Sequence, residues 1–154
     1  MGQGIADPTK LAIVGWSYGG YAALESEVLD PDLFKAAVAI APVTDLAMIK
    51  EEKRFFTDYA TTASYIGSGR TIVEASPARQ AETFKAPVLM FHGDQDRNVG
   101  IAESRAMDAA LKRAGKTSRL VVFPGLDHQL DDATARTDML TQADASLRTS
   151  LRLP

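Results

Sequence analysis

The chain has 154 residues, enough for one domain with a single core. A net charge of −3 gives no electrostatic reason to expect nucleic acid or an anionic membrane as a partner. The absence of cysteine excludes disulfides, thiol catalysis and cysteine-ligated metals, and His92 and His128 are the only imidazoles a mechanism can draw on.

The opening "MGQGIADPTK" has no apolar core segment, so no secretory leader is expected and a cytoplasmic location is. A first strand is expected in "KLAIVG" (10–15), followed by a helix with Tyr21, Leu24 and Val28 on one face. A second strand falls in "KAAVAIAPV" (35–43). It contains the longest apolar run, residues 36–43, far short of the roughly 20 residues that span a bilayer. Residues 44–85 read as an irregular excursion with short helices, because Phe55, Phe56, Tyr59 and Tyr65 are too many aromatics for a solvated linker. A third strand is expected in "APVLMFHG" (86–93), then a helix with Ser104, Met107, Leu111 and Ala114 on one face, ended by Gly115. A fourth strand in "SRLVVFPG" (118–125) precedes a last helix whose stripe is Leu140, Ala143, Leu147 and Leu151.

Near-continuous apolar strands alternating with helices predict a three-layer α/β fold in which a mostly parallel sheet is covered on both faces. No repeat or linker divides it, so residues 1–154 are expected to form one domain.

Residues 15–21, "GWSYGGY", set a serine in G-x-S-x-G between the first strand and its helix. Such an elbow puts Ser17 on a strained turn above the carboxyl edge of the sheet. Gly15 and Gly19 are expected to be small because strand and helix approach closely there. The helix begins at once, so its free N–H groups face whatever the serine attacks, and the Tyr18 N–H is the expected oxyanion donor. A serine hydroxyl needs a base to take its proton and a carboxylate to orient that base. "HGDQDRNVG" after the third strand and "PGLDHQL" after the fourth leave the same sheet edge as Ser17. His128 is the expected base, with Asp94 and Asp96 competing to orient it. His92, at the end of a strand, is expected to be a partly buried residue satisfied by backbone. Asp127 is expected to be a solvated loop residue, and Asp131 and Asp132 to sit at the start of the last helix.

The segments "ADPTKLAIVGWSYGGYAAL", "FKAAVAIAPVTD", "YIG", "SPARQAETFKAPVLMFHGDQDRNV" and "FPGLDHQL" resemble, nearly end to end, the catalytic α/β-hydrolase domain of prolyl oligopeptidase family serine peptidases. The resemblance is to its C-terminal part and to the acylaminoacyl-peptidase and dipeptidyl-peptidase branches. It implies Ser17 as nucleophile, His128 as base in a D-H-x loop, and Asp96 rather than Asp94 as the acid of H-G-x-x-D-x-x-V. It also implies a substrate pocket lined by Val43, Leu46 and Val99, with Asn98 holding a substrate carbonyl. Trp16, beside the nucleophile, joins the expected substrate-binding residues. Members of the family have tyrosines after A-P-V, where this chain has "TDLAMIKEEKRFF".

The family's preceding β-propeller, earlier strands and second oxyanion donor are not expected in this chain, which reads as a minimal hydrolase or a piece of a longer enzyme beginning in the helix before the nucleophile strand. Losing one oxyanion donor costs about 10²- to 10³-fold in rate, which amides tolerate least. The expected function is therefore a serine esterase on short-chain or activated esters, needing no cofactor or metal. A peptidase of the aminoacyl or dipeptidyl type is the alternative, and a non-catalytic half-domain for assembly is a third reading. The segment Leu11–Gly15, expected to lie at a sheet edge without charge or proline, predicts pairing with a second copy or with the missing half of a longer chain.

Overall fold

A computed structural model describes residues 7–154. The helix expected ahead of the first strand falls partly on residues 1–6, outside the described residues; Asp7 to Lys10 form a turn closed by Lys10 N–H donating to the Asp7 carbonyl at 3.1 Å.

Four strands, β1 (Ile13–Trp16), β2 (Ala37–Ile40), β3 (Val88–Gly93) and β4 (Ser118–Phe123), form one parallel sheet in the order of the chain. Ile13 pairs with Ala37, Ile40 with Phe91, and Gly93 with Phe123. The strands are shorter than the apolar runs that carry them. Beyond β1, however, the ladder continues through Lys35 N–H donating to Leu11 O at 2.7 Å. Parallel strands need crossovers. Helix α1 (Tyr18–Leu29) joins β1 to β2, and α5 (Ala102–Arg113) joins β3 to β4. Between β2 and β3 lie α2 (Leu46–Glu52), α3 (Tyr59–Ile66) and α4 (Arg70–Glu74), with 3-10 turns at Lys53–Phe55 and Pro77–Thr83. Helix α6 (Ala133–Leu151) closes the chain.

Alternation along β2 and β3 explains why both read as continuous apolar runs. Ala37, Ala39, Val88 and Met90 pack on one face with Leu24 of α1 and Met107 and Leu111 of α5. Val38, Ile40, Leu89 and Phe91 pack on the other with Phe123 and Met139 of α6. Each fully buried Leu or Met side chain contributes on the order of 1.5–3 kcal/mol. The three-layer α/β fold is thus present, with four strands among the described residues.

Two expectations of packing are corrected. Leu140 does not face the core: it is 64% exposed, and α6 docks through Ala135, Met139, Ala143 and Leu147. Those four repeat every four residues, so the sheet meets a ridge that leaves Leu140 turned out by about 100°. The excursion after β2 does form short helices, but its aromatics are not its packing. Phe55 is 90% and Tyr65 81% exposed. None of the α3 or α4 residues is buried, and the Lys53 ammonium lies 4.3 Å from the centre of the Phe56 ring.

Candidate active site

The sheet delivers three loops to its carboxyl edge. Between β1 and α1, Ser17 has φ 56° and ψ −120°. An L-residue held there stores on the order of 1–3 kcal/mol of strain. Ser17 N–H donates to the Ile40 carbonyl at 2.8 Å, and Tyr21 N–H to the Ser17 carbonyl at 3.0 Å. A β-carbon on Gly15 would stand 1.9 Å from the Gly19 carbonyl oxygen, so strand and helix touch as the motif requires. The glycine pattern differs in one respect. Gly19 itself has open space, and the second tight position is Gly20, whose β-carbon would meet that of Pro42 at 3.0 Å. The Ser17 hydroxyl does not cap α1. Among the described residues its helix therefore opens with free N–H groups beside a hydroxyl that makes no hydrogen bond, and that of Tyr18 is the first of them.

Asp96 and His128 come from the loops after β3 and β4. His128 Nδ1 donates to Asp96 Oδ2 at 2.6 Å, and Asn98 and Val99 N–H donate to Asp96 Oδ1 at 2.8 and 2.9 Å. Burial alone would raise the Asp96 carboxyl. The N–H donors of His92, Val99, His128 and Asn98 outweigh it and hold the group at about 2. Asp94 points away from the histidine ring. Its Oδ1 accepts from Gly125 N–H at 2.7 Å and so shapes the turn ahead of His128. The two loops are in contact because Gly93 lacks a side chain; a β-carbon there would sit 2.2 Å from the Leu126 carbonyl oxygen.

Trp16 links the two halves of the site, its indole N–H donating to the His128 carbonyl at 3.2 Å. Its ring packs with the α6 side of the core. Among the described residues no hydrogen bond joins Ser17 Oγ to His128. The histidine's pairing through Nδ1 leaves Nε2 as the nitrogen available to a reacting group.

Val43 and Leu46 line an apolar cavity of about 360 Å³ with Tyr18, Tyr21, Tyr65 and Ile66. Its tyrosines come from α1 and α3, not from the segment directly after A-P-V. Val99 lies elsewhere: it is buried, and its backbone serves Asp96 and His92. Asn98 is exposed in a separate depression beside His128. Glu103 of α5 anchors the cavity wall. Its Oε2 accepts Thr44 N–H and Asp45 N–H, both at 2.8 Å, and the Asp45 side chain in turn caps α2 through Ala47 and Met48. Burial pushes Glu103 up to about 7 against those donors. Asp132 caps α6 through Ala135 N–H at 2.7 Å, and Asp127 is exposed. Among the described residues there is no group of three or more His, Asp or Glu arranged to hold a metal ion, and no helix long and apolar enough to cross a membrane.

A family model described as the prolyl oligopeptidase family matches residues 1–150. The uncharacterized peptidase YuxL of Bacillus subtilis is 30% identical over 127 residues, which are 80% of this chain and 19% of that protein. Human dipeptidyl peptidase 8 is 34% identical over 131 residues, 80% of this chain and 14% of that one. A Mycobacterium tuberculosis puromycin-hydrolyzing peptidase superposes with a TM-score of 0.89 at 29% identity, over 99% of this chain and 24% of the other. The chain spans less than a fifth of the length of these two curated relatives.

Proposed function

The chain belongs to the prolyl oligopeptidase family, and from that premise we propose that it is the acyl-transfer part of a serine peptidase. Ser17 Oγ attacks a scissile carbonyl while His128 Nε2 takes its proton. Asp96 holds Nδ1–H and compensates the imidazolium, and the Tyr18 N–H faces the oxyanion. Collapse breaks the carbonyl–nitrogen bond, the amine leaves with the proton from His128, and water repeats the sequence to free the acid and Ser17. The observation that carries this reading is the 2.6 Å His128–Asp96 bond at the same sheet edge as the left-handed Ser17.

Peptides, not short-chain esters, are the substrate class this reading favours. The ester expectation rests on a propeller and a second oxyanion donor not being expected in this chain, whereas the relatives and the structural neighbour are named as peptidases. The cavity beside Tyr18 is lined by aliphatic and tyrosyl side chains and suits an apolar residue of the acyl component. A non-catalytic half-domain has no use for a carboxylate held ionised against a buried imidazole.

A fluorophosphonate tests the chemistry. One label per chain, mapped to Ser17 and lost in Ser17→Ala, is the expected result. Labelling elsewhere, or none where a control hydrolase is labelled, sinks the assignment. Turnover of p-nitrophenyl esters without any turnover of aminoacyl or dipeptidyl anilides would return the substrate class to esters.

A further inference from the structure

We propose that His92, backed by Ser104, is a positioning residue for the Asp96–His128 pair, an inference that rests on the acyl-transfer reading above. His92 is fully buried on β3, and as a core histidine it needs only one acceptor and one donor. Those are present: Nε2 lies 2.9 Å from the Val99 carbonyl oxygen, and Nδ1 lies 2.7 Å from Ser104 Oγ. The same Nε2 also stands 3.2 Å from Asp96 Oδ2, the oxygen that accepts from His128. A purely structural histidine has no need of that third contact.

The contact fixes the tautomer. A carbonyl and a carboxylate are both acceptors, so the nitrogen facing them carries the hydrogen, and in the neutral ring Nδ1 accepts from the Ser104 hydroxyl. Asp96 then faces four N–H groups: the His128 donor on Oδ2, two backbone donors on Oδ1, and, 3.2 Å from Oδ2, the His92 Nε2–H that it shares with the Val99 carbonyl. A carboxylate offers about four acceptor positions, so this one is saturated and its plane is fixed. Charge shared among four donors leaves Oδ2 a weaker base. The proton it faces therefore stays on His128 Nδ1 while Nε2 exchanges protons with substrate. The lowered Asp96 carboxyl agrees with that arrangement. Ser104 completes it from the first turn of α5, next to the Glu103 that anchors the cavity wall.

With two histidines in the chain, ring nitrogen NMR of the wild-type protein near neutral pH is directly readable. The expected spectrum shows opposite tautomers, His92 protonated at Nε2 and His128 at Nδ1; a His92 protonated at Nδ1 alone overturns the proposal. In His92→Leu the His128 Nδ1–H resonance is expected to move downfield, because Oδ2 has lost a competing donor, and in His92→Gln, which keeps an N–H at similar reach, to stay near its wild-type position. Phosphonylation of Ser17 should slow by about 10- to 100-fold in His92→Leu and recover in His92→Gln. For an anilide substrate kcat should fall with KM unchanged, and the Leu penalty should vanish in an Asp96→Asn background. An unmoved resonance with unchanged kcat in folded His92→Leu overturns the proposal. If that variant does not fold, Ser104→Ala and the wild-type spectrum decide: a smaller shift in the same direction supports the role, and no shift removes it. An unlabelled Ser17 in the wild type refutes the acyl-transfer reading, while the spectra still decide whether His92 orders the pair.

Discussion

His128 and Asp96, 32 residues apart in sequence, meet at 2.6 Å because the loops after β3 and β4 leave adjacent strands at the same end. Asp94 lies in the same loop but turns toward Gly125. The two acids therefore predict unequal costs. Asp96→Asn should lower kcat by about 10⁴-fold, since the imidazole loses the acceptor that sets its tautomer. Asp94→Asn should cost less than about tenfold, through the shape of the turn. Steady-state kinetics on one anilide substrate compares them, and the reverse order would move the orienting role to Asp94.

Gly15 and Gly19 should respond oppositely to alanine. At Gly15 the new methyl meets main chain at 1.9 Å, which no rotamer relieves. Gly15→Ala is expected to lose about 3 kcal/mol or more and the Ser17 label with it. At Gly19 the methyl meets nothing, and alanine inside a helix is worth up to about 1 kcal/mol over glycine. Urea midpoints of the two variants check this; a destabilised Gly19→Ala would show that the elbow is tighter than its backbone suggests.

Glu27 supplies a pH test remote from the site. It is fully buried on α1, neither carboxylate oxygen has a hydrogen-bond partner among the described residues, and burial pushes it up to about 7 from an ordinary 4.5. The native state thus keeps a proton that the unfolded chain gives up. The resulting stability is complete below pH 4.5, fades as pH rises toward 7, and is gone above it. A shift of that size corresponds to about 3 kcal/mol. Denaturation at pH 5 and pH 8 should show wild type weakening with rising pH, with Glu103 adding in the same direction. Glu27→Gln should flatten part of the slope and exceed wild type at pH 8. Identical slopes would mean that Glu27 finds a partner or water.

The edge of β1 is expected to recruit a partner. Among the described residues β1 pairs only with β2, and Val14 on it is 54% exposed. We expect native mass spectrometry at low micromolar concentration to show a dimer or higher assembly, and Val14→Lys to give a folded monomer. A wild-type monomer whose Leu11–Gly15 amides resist hydrogen exchange would remove this expectation.

The four strands, the elbow and the last two loops were legible because each is a local demand: an apolar run covered on both faces, a glycine where backbone touches backbone, an acid and a histidine after strand ends. What escaped depends on contacts made at a distance. Whether Met139 or its neighbour Leu140 faces the sheet is set by the docking angle of α6, not by helical period alone. His92 reads as an ordinary core residue until Val99, Ser104 and Asp96 are brought around it. Glu27 and Glu103 look in sequence like solvated helix charges, and only packing hides them. Phe55 and Tyr65 mislead in the opposite sense, since short helices without a buried face cannot cover them.

Every strand of this sheet pairs with the one next in the chain, so its interior seams differ in strength. Ser17 follows β1, which pairs with β2 over four residues beyond the Lys35–Leu11 bond, whereas β3 and β4, which lead into the loops of Asp96 and His128, pair over six. Warming should therefore peel the nucleophile away first, with the elbow's backbone strain driving the separation and the acid and base still joined behind it. Activity would fade at a lower temperature than the helical circular dichroism signal, and would return on cooling. The elbow and the Asp96–His128 pair are thus expected to melt in two steps, which activity and circular dichroism followed in one heating run would separate.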